Sequence, residues 1–255
     1  MSERLRLRVH HSGEGPTLIH LPGLHGDWTL LRPFRRAVAG RACLVEVTYP
    51  RRTDWRLPDY VAALEAALQE QGVGEAWLLA ESFSSQVGWQ FVQGQPARRG
   101  FQLQGLILVG GFIRHSWPWG VEVTRLASGV VPGSLLRRLC EAYGRRHAAG
   151  DPEVAADMAE FVQRRVDVAD RAAITQRYRL IAEADLRPVA REARLPVYHL
   201  SGAVDPLVPW PLVRAWLRRH CPGYRASRIL RRGGHNILLG NPHDSARQIL
   251  EWAEC

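Results

Sequence analysis

The chain has 255 residues, 46% of them hydrophobic, and a formal net charge of +9. That length can bury a sizeable core without disulfide or metal staples, and no run of roughly 18 apolar residues is present to cross a membrane. The sequence contains no lysine, so all 34 basic residues are arginine, which excludes a P-loop, lysine Schiff-base chemistry and a Ser-Lys dyad.

The arginines are scattered, with nothing denser than pairs such as Arg137-Arg138 and Arg145-Arg146. Without a patch or a recognition motif, no nucleic-acid partner is expected. The positive balance leaves an acidic partner open, although a wholesale arginine bias reads as composition as much as function. Cys43, Cys140, Cys221 and Cys255 are far apart and form no C-x-x-C pair, so disulfides are not implied, and no metal or cofactor is expected. The opening "MSERLRLRVHHSGEG" has no apolar signal region, which makes the cytoplasm the expected location.

Residues 4–10 alternate polar and apolar, as an exposed edge strand does. Residues 17–21 form a short apolar strand ending at Pro22-Gly23, and 28–38 read as a helix. Residues 42–47 make the next strand, and "PDYVAALEAALQEQ" (58–71) an amphipathic helix with proline in its first turn, stopped by Gly72. A strand at 76–80, a helix at 83–92 and a strand at 105–109 follow. Continuous apolar strands alternating with helices predict a mostly parallel sheet covered on both faces. From Phe112 to Arg194 the alternation stops, and "SLLRRLCEAYG", "DPEVAADMAEFVQRRV" and "ADRAAITQRYRLIAEADL" all have helical spacing. Strands resume at 197–200 and 227–230, with helices at 211–219 and 242–253. The expected fold class is α/β, a doubly wound, mostly parallel sheet with a helical insertion. Residues 1–111 and 195–255 form the core, and 112–194 the insertion.

Ligands of such sheets sit beyond the carboxyl ends of the strands, so the loops that follow strands carry the chemistry. "HLPGLHGDW" (20–28) is glycine-rich and able to present backbone N–H groups to an oxyanion; a plain strand-to-helix turn is the other reading. In "LLAESFSS" (78–85) an apolar strand stops at Ser82 and a helix begins. A serine on so sharp a turn exposes its hydroxyl, provided the residues two before and two after are small, as Ala80 and Ser84 are. Alone, Ser82 reads equally as a helix cap. Asp205 in "LSGAVDPLVP" and His235 in "RRGGHNILLGNP" each follow a strand. A serine hydroxyl needs a histidine to take its proton, and the histidine needs a carboxylate to hold its tautomer. The order Ser, Asp, His supplies those roles.

These motifs resemble the α/β-hydrolase fold superfamily over nearly the whole chain, nearest to the branch with P-G-L-D-G and G-E-S-F-S-G patterns. The resemblance implies Ser82 as nucleophile, Asp205 as acid and His235 as general base. It further implies an oxyanion hole from the Leu24 and Phe83 amides, and a helical cap at 112–194. Ala80 and Ser84 replace the two glycines of the usual G-x-S-x-G elbow, and His25 stands where that branch often has aspartate. His25, Trp117, Trp119 and Trp210 are the residues expected to border a pocket, with core packing the other reading for the tryptophans. A serine in the elbow argues against haloalkane dehalogenase and epoxide hydrolase chemistry, which use aspartate there.

The leading expectation is a serine hydrolase acting on a small-molecule carboxylic ester or thioester. An acidic acyl-carrier protein is a weaker candidate partner, motivated by the net charge. The alternatives are an acyltransferase, a C–C bond hydrolase, or a non-catalytic binding protein on the same fold.

Overall fold

In the computed structural model the apolar runs become strands β1 (Arg6–His10), β2 (Thr17–Leu21), β3 (Cys43–Thr48), β4 (Glu75–Glu81), β5 (Gln102–Val109), β6 (Val197–Gly202) and β7 (Tyr224–Leu230). The structure describes residues 4–11, 14–94, 100–130, 138, 142, 152–165 and 167–254. The strands form one sheet in the order β1-β3-β2-β4-β5-β6-β7. All neighbours run parallel except β1, which pairs antiparallel with β3 at the edge. The alternating 4–10 segment is therefore an edge strand, and the continuous apolar runs are the parallel interior, as expected.

The two faces of the sheet divide its side chains with period two. Leu78, Ala80, Leu106 and Leu108 point to one apolar layer, and Trp77, Leu79, Ile107 and Val109 to the other. The first layer is covered by α2 (Leu57–Glu70) and α3 (Ser84–Gly94), through Tyr60, Leu64, Val87 and Phe91. The second is covered by α1 (Arg32–Val38) and, at the chain's end, the helix Pro242–Ala253, through Phe34, Val38, Ile249 and Leu250. Fully burying each such side chain favours folding by about 1.5–3 kcal/mol.

The described helices between β5 and β6 include α4 (Pro118–Val130), α5 (Pro152–Arg165), α6 (Val168–Glu183) and α7 (Arg187–Glu192). Among the described residues no strand lies between β5 and β6. Helix α4 packs on α6, and α5 packs on a 3-10 turn at Thr29–Leu31 and on α1. After β6 come α8 (Trp210–His220), then β7, the short α9 (Ile237–Gly240) and α10 (Pro242–Ala253). No described helix is long and apolar enough to cross a membrane.

Several boundaries differ from the sequence expectation. The helix expected at 28–38 is split: Asp27 Oδ1 accepts from the Thr29 N–H at 2.6 Å to start a 3-10 turn, and Pro33 opens the α-helical part. The four-residue α9 is too short to show a period and was not expected. The expected helix "SLLRRLCEAYG" lies outside the described residues apart from Arg138 and Ala142, as do Cys140 and Cys255. Cys43 and Cys221 are free thiols.

His199 on β6 is a buried polar group with a consequence for stability. Burial pushes its pKa down from 6.5 to about 4, partly opposed by the charge of Asp205. The folded state therefore resists a proton that the unfolded chain binds below about pH 6.5. Stability is full above that pH and falls as the pH drops towards 4, by about 3 kcal/mol. Urea denaturation across this range is expected to show a marked slope in the wild type and a flattened one in His199→Gln. Equal slopes would remove His199 as the source.

Candidate active site

Because the strands are parallel, their carboxyl ends line up at one edge. The register pairs Leu21 with Ala80, Glu81 with Val109, Val109 with Leu200, and Gly202 with Leu230. The loops after β2, β4, β6 and β7 thus emerge side by side, and they carry Leu24, Ser82, Asp205 and His235.

Ser82 is the only described non-glycine residue with positive φ, at 50°. A non-glycine residue in this left-handed region is strained by roughly 1–3 kcal/mol, so its surroundings must hold it. The Ser82 N–H donates to the Val109 carbonyl at 3.0 Å, and the Ser82 carbonyl accepts from the Ser85 N–H at 2.9 Å and the Ser85 hydroxyl at 2.7 Å. Ser85 Oγ in turn accepts from the Phe112 N–H at 3.1 Å. The turn can close although Ala80 stands where the pattern has glycine, because the missing side chain is on the helix instead. A Cβ at Gly88 of α3 would come within 3.0 Å of the Ala80 Cβ.

Ser84, the second departure, is fully buried and makes two hydrogen bonds. Its hydroxyl donates to the Pro22 carbonyl at 2.5 Å and accepts from the Tyr49 hydroxyl at 2.8 Å. Burial pushes the Tyr49 phenol well above its ordinary range, which keeps it a donor. Ser84 thereby joins the elbow to the loop after β2. Ser84→Ala is expected to leave both partners unsatisfied and to lower stability by about 1–3 kcal/mol in urea denaturation. A loss below about 0.5 kcal/mol would show that neither bond contributes.

The structure brings Ser82, His235 and Asp205 into one hydrogen-bonded chain. His235 Nε2 lies 2.8 Å from Ser82 Oγ, and His235 Nδ1 lies 2.8 Å from Asp205 Oδ2. Asp205 is fully buried at its side chain, and its Oδ1 accepts from the Leu207 and Val208 N–H groups at 2.8 and 3.0 Å. Burial acts to raise its pKa. The hydrogen bond and charge of His235 and the two backbone donors outweigh this and hold the carboxyl below the usual range. An ionised Asp205 fixes the proton on Nδ1, leaving Nε2 to accept from Ser82.

An oxyanion donor needs a fixed peptide and no competing acceptor, and the Leu24 and Phe83 amides are the expected donors. Phe83 is fully buried, edge-on to Tyr60 at 5.6 Å and Tyr49 at 6.3 Å. In the loop after β2, a turn is closed by the Gly26 N–H on the Gly23 carbonyl at 2.9 Å. The Gly26 carbonyl accepts from the Tyr49 N–H at 2.9 Å and the Thr48 hydroxyl at 2.8 Å. No hydrogen bond from the Leu24 or Phe83 N–H is formed among the described residues.

The residues expected to border a pocket are His25, Trp117, Trp119 and Trp210. Trp117 and Trp119 are 66% and 70% exposed, with ring centroids 6.3 Å apart. They flank Pro118 at the first turn of α4, on the side away from the core. Trp210 Nε1 donates to the Ala203 carbonyl at 3.2 Å and closes the loop that carries Asp205. His25 packs edge-on against Phe161 of α5 at 4.9 Å. A cavity of about 350 Å³ lies nearby, lined by Ile113, Arg114, His115, Leu212 and Trp216 among others, and by none of those four. His115 Nε2 donates to the Leu207 carbonyl at 3.2 Å, which places this cavity against the Asp205 loop.

Sequence reading missed two further groups. His20 Nε2 bonds Glu81 Oε2 at 2.9 Å directly beneath the loop after β2. Arg177 of α6 is 1% exposed and donates to the Leu24 carbonyl. The spacing held a signal for Arg177. Ala173, Ile174, Leu180 and Ile181 form the buried stripe of α6, and Arg177 falls in its middle. Among the described residues, no group of three or more His, Cys, Asp or Glu side chains is arranged to hold a metal ion.

The chain has the α/β-hydrolase fold. Its structure is similar to an esterase from Exiguobacterium antarcticum, with 13% identity, a TM-score of 0.77, and 98% of this chain and 96% of that one covered. An enol-lactonase from Burkholderia xenovorans LB400 matches at 15% identity and TM-score 0.76, covering 98% and 96%. A bromoperoxidase from Bacillus anthracis matches at 12% identity and TM-score 0.75, covering 98% and 95%. No model of a known protein family and no curated protein sequence matches. Such neighbours establish a fold that hosts several chemistries, so function has to be argued from the site.

Proposed function

We propose that the chain is a serine hydrolase that cleaves a carboxylic ester or thioester through an acyl-enzyme. The observation that carries this is the Ser82–His235–Asp205 chain, with both links at 2.8 Å and Ser82 held at φ 50°. A serine used only as a helix cap has no need of strained backbone or of a histidine backed by a buried carboxylate.

Ser82 Oγ attacks the acyl carbonyl carbon while its proton passes to His235 Nε2. Asp205 stabilises the imidazolium, and the carbonyl electron pair moves onto the oxygen, which the Leu24 and Phe83 amides hold. Collapse of this intermediate breaks the C–O or C–S bond, and the leaving alcohol or thiol takes the proton from His235. Water then attacks the acyl-enzyme, giving its proton to His235. The second intermediate releases the acid and returns that proton to Ser82. The insertion forms the cap in this reading. In this reading the cavity against the Asp205 loop, with apolar walls at Ile113, Leu212 and Trp216 and polar ones at Arg114, His115 and Arg187, is the candidate space for an acyl or alcohol group.

The test is a panel of p-nitrophenyl esters and acyl thioesters of increasing chain length, with wild type and Ser82→Ala. Turnover by the wild type alone supports the reading, and equal turnover by both contradicts it.

A further inference from the structure

The geometry points to Arg177 as a positioning residue through which insertion helix α6 fixes the oxyanion loop; this rests on the hydrolase reading above. Its guanidinium is almost wholly buried, and no ion pair with a carboxylate is formed among the described residues. Taking a charge out of water with no counter-charge is costly, so its neighbours must satisfy it. They do so with neutral acceptors. Nη1 donates to the Leu24 carbonyl at 2.7 Å, Nη2 to the Pro50 carbonyl at 3.1 Å, and Nε to the Tyr60 hydroxyl at 3.3 Å. The guanidinium also stands 5.6 Å from the Tyr49 ring.

These acceptors come from the loop after β2, the loop after β3 and helix α2, so one side chain of the insertion holds three pieces of the core together. The Leu24 carbonyl is in the centre of the turn whose N–H groups the oxyanion needs. Gly26, which closes that turn at φ 67°, leaves space for the guanidinium, because a Cβ there would lie 2.7 Å from Nη1. The other end of the loop is held by Ser84 on the Pro22 carbonyl. Ser84 and Arg177 therefore bracket the Gly23–Leu24 peptide, one from the elbow and one from the insertion. Only a planar fork with several donors reaches all three acceptors, so lysine is not an equivalent. Arg177 does not touch the reacting atoms; it acts through the Leu24 peptide.

A residue that merely fastened α6 to the core would change stability and leave turnover alone. Gln176, its neighbour, provides that control: its side chain donates to the Trp55 carbonyl at 3.0 Å, away from the oxyanion loop. The experiment compares wild type, Arg177→Met, Arg177→Lys and Gln176→Ala. It reads kcat and KM for p-nitrophenyl acetate, inhibition by a trifluoromethyl ketone, and amide hydrogen exchange of residues 23–26 without ligand. Arg177→Met is expected to lower kcat roughly 100-fold with KM little changed. Affinity for the ketone, whose adduct carries the oxyanion, falls by a similar factor. Arg177→Lys recovers part of the loss, and should Arg177→Met fold poorly it still gives a graded reading. Exchange at 23–26 is faster in both Arg177 variants and unchanged in Gln176→Ala. The proposal is overturned if kcat falls no further than in Gln176→Ala, or if exchange at 23–26 is unaltered. A wild type that turns over no ester would end the hydrolase reading. The exchange measurement would still decide whether Arg177 orders the loop.

Discussion

Ser82→Ala is expected to lower kcat for ester hydrolysis by roughly 10⁴- to 10⁶-fold, with KM changed far less. In the proposed mechanism the Ser82 hydroxyl oxygen forms the new bond, so no neighbouring group replaces it. Ser85 Oγ is held by the Ser82 carbonyl and the Phe112 amide, and Ser84 Oγ by Pro22 and Tyr49. What remains is the contribution of binding and of the oxyanion donors. The strained backbone adds a second, independent signature. Alanine at φ 50° keeps the strain that serine has, whereas glycine relieves it. Ser82→Gly is therefore expected to be as inactive as Ser82→Ala and about 1 kcal/mol more stable than it in urea denaturation. An active Ser82→Gly, or one less stable than Ser82→Ala, would be inconsistent with an elbow nucleophile.

The second large effect is expected at Asp205. Its two oxygens have separate tasks: Oδ1 takes the Leu207 and Val208 N–H groups, and Oδ2 takes the proton on His235 Nδ1. In Asp205→Asn the amide oxygen remains on the backbone donors, so the NH₂ group is turned towards His235. Nδ1 then has to accept, the proton moves to Nε2, and His235 can no longer take the Ser82 proton. The expected loss in kcat is roughly 10⁴-fold with KM little changed. Steady-state kinetics on the same ester as Ser82→Ala measures it. A loss of under about tenfold would mean that Asp205 does not set the tautomer.

Most of the fold was legible because parallel strands buried on both faces are continuous apolar runs with little else to become. Residues 17–21 and 242–253 fall where their patterns place them. The carboxylate, imidazole and hydroxyl were legible for a related reason, since each follows a strand directly and the parallel sheet brings such loops together. The rest depended on contacts that spacing does not encode. The glycine absent at Ala80 reappears as Gly88, one turn into α3 and opposite it. The hydroxyl at Ser84 gains meaning only when Tyr49 and Pro22 arrive beside it. Trp117 and Trp119 read as pocket or core residues because they open the helical insertion expected to cover the site. Their place beside Pro118 at the start of α4 exposes them instead. Arg177 was hidden by the abundance of arginine in the chain, although its position in an apolar stripe marked it.

The measurement that tests the central claim most directly is covalent labelling with a fluorophosphonate, read by intact mass and peptide mapping. A nucleophilic Ser82 backed by His235 and Asp205 predicts one adduct per chain, located on Ser82. It also predicts slower labelling in Asp205→Asn and none in Ser82→Ala. An unlabelled wild type, equal labelling of Ser82→Ala, or an adduct mapped to Ser84 or Ser85 would contradict the account.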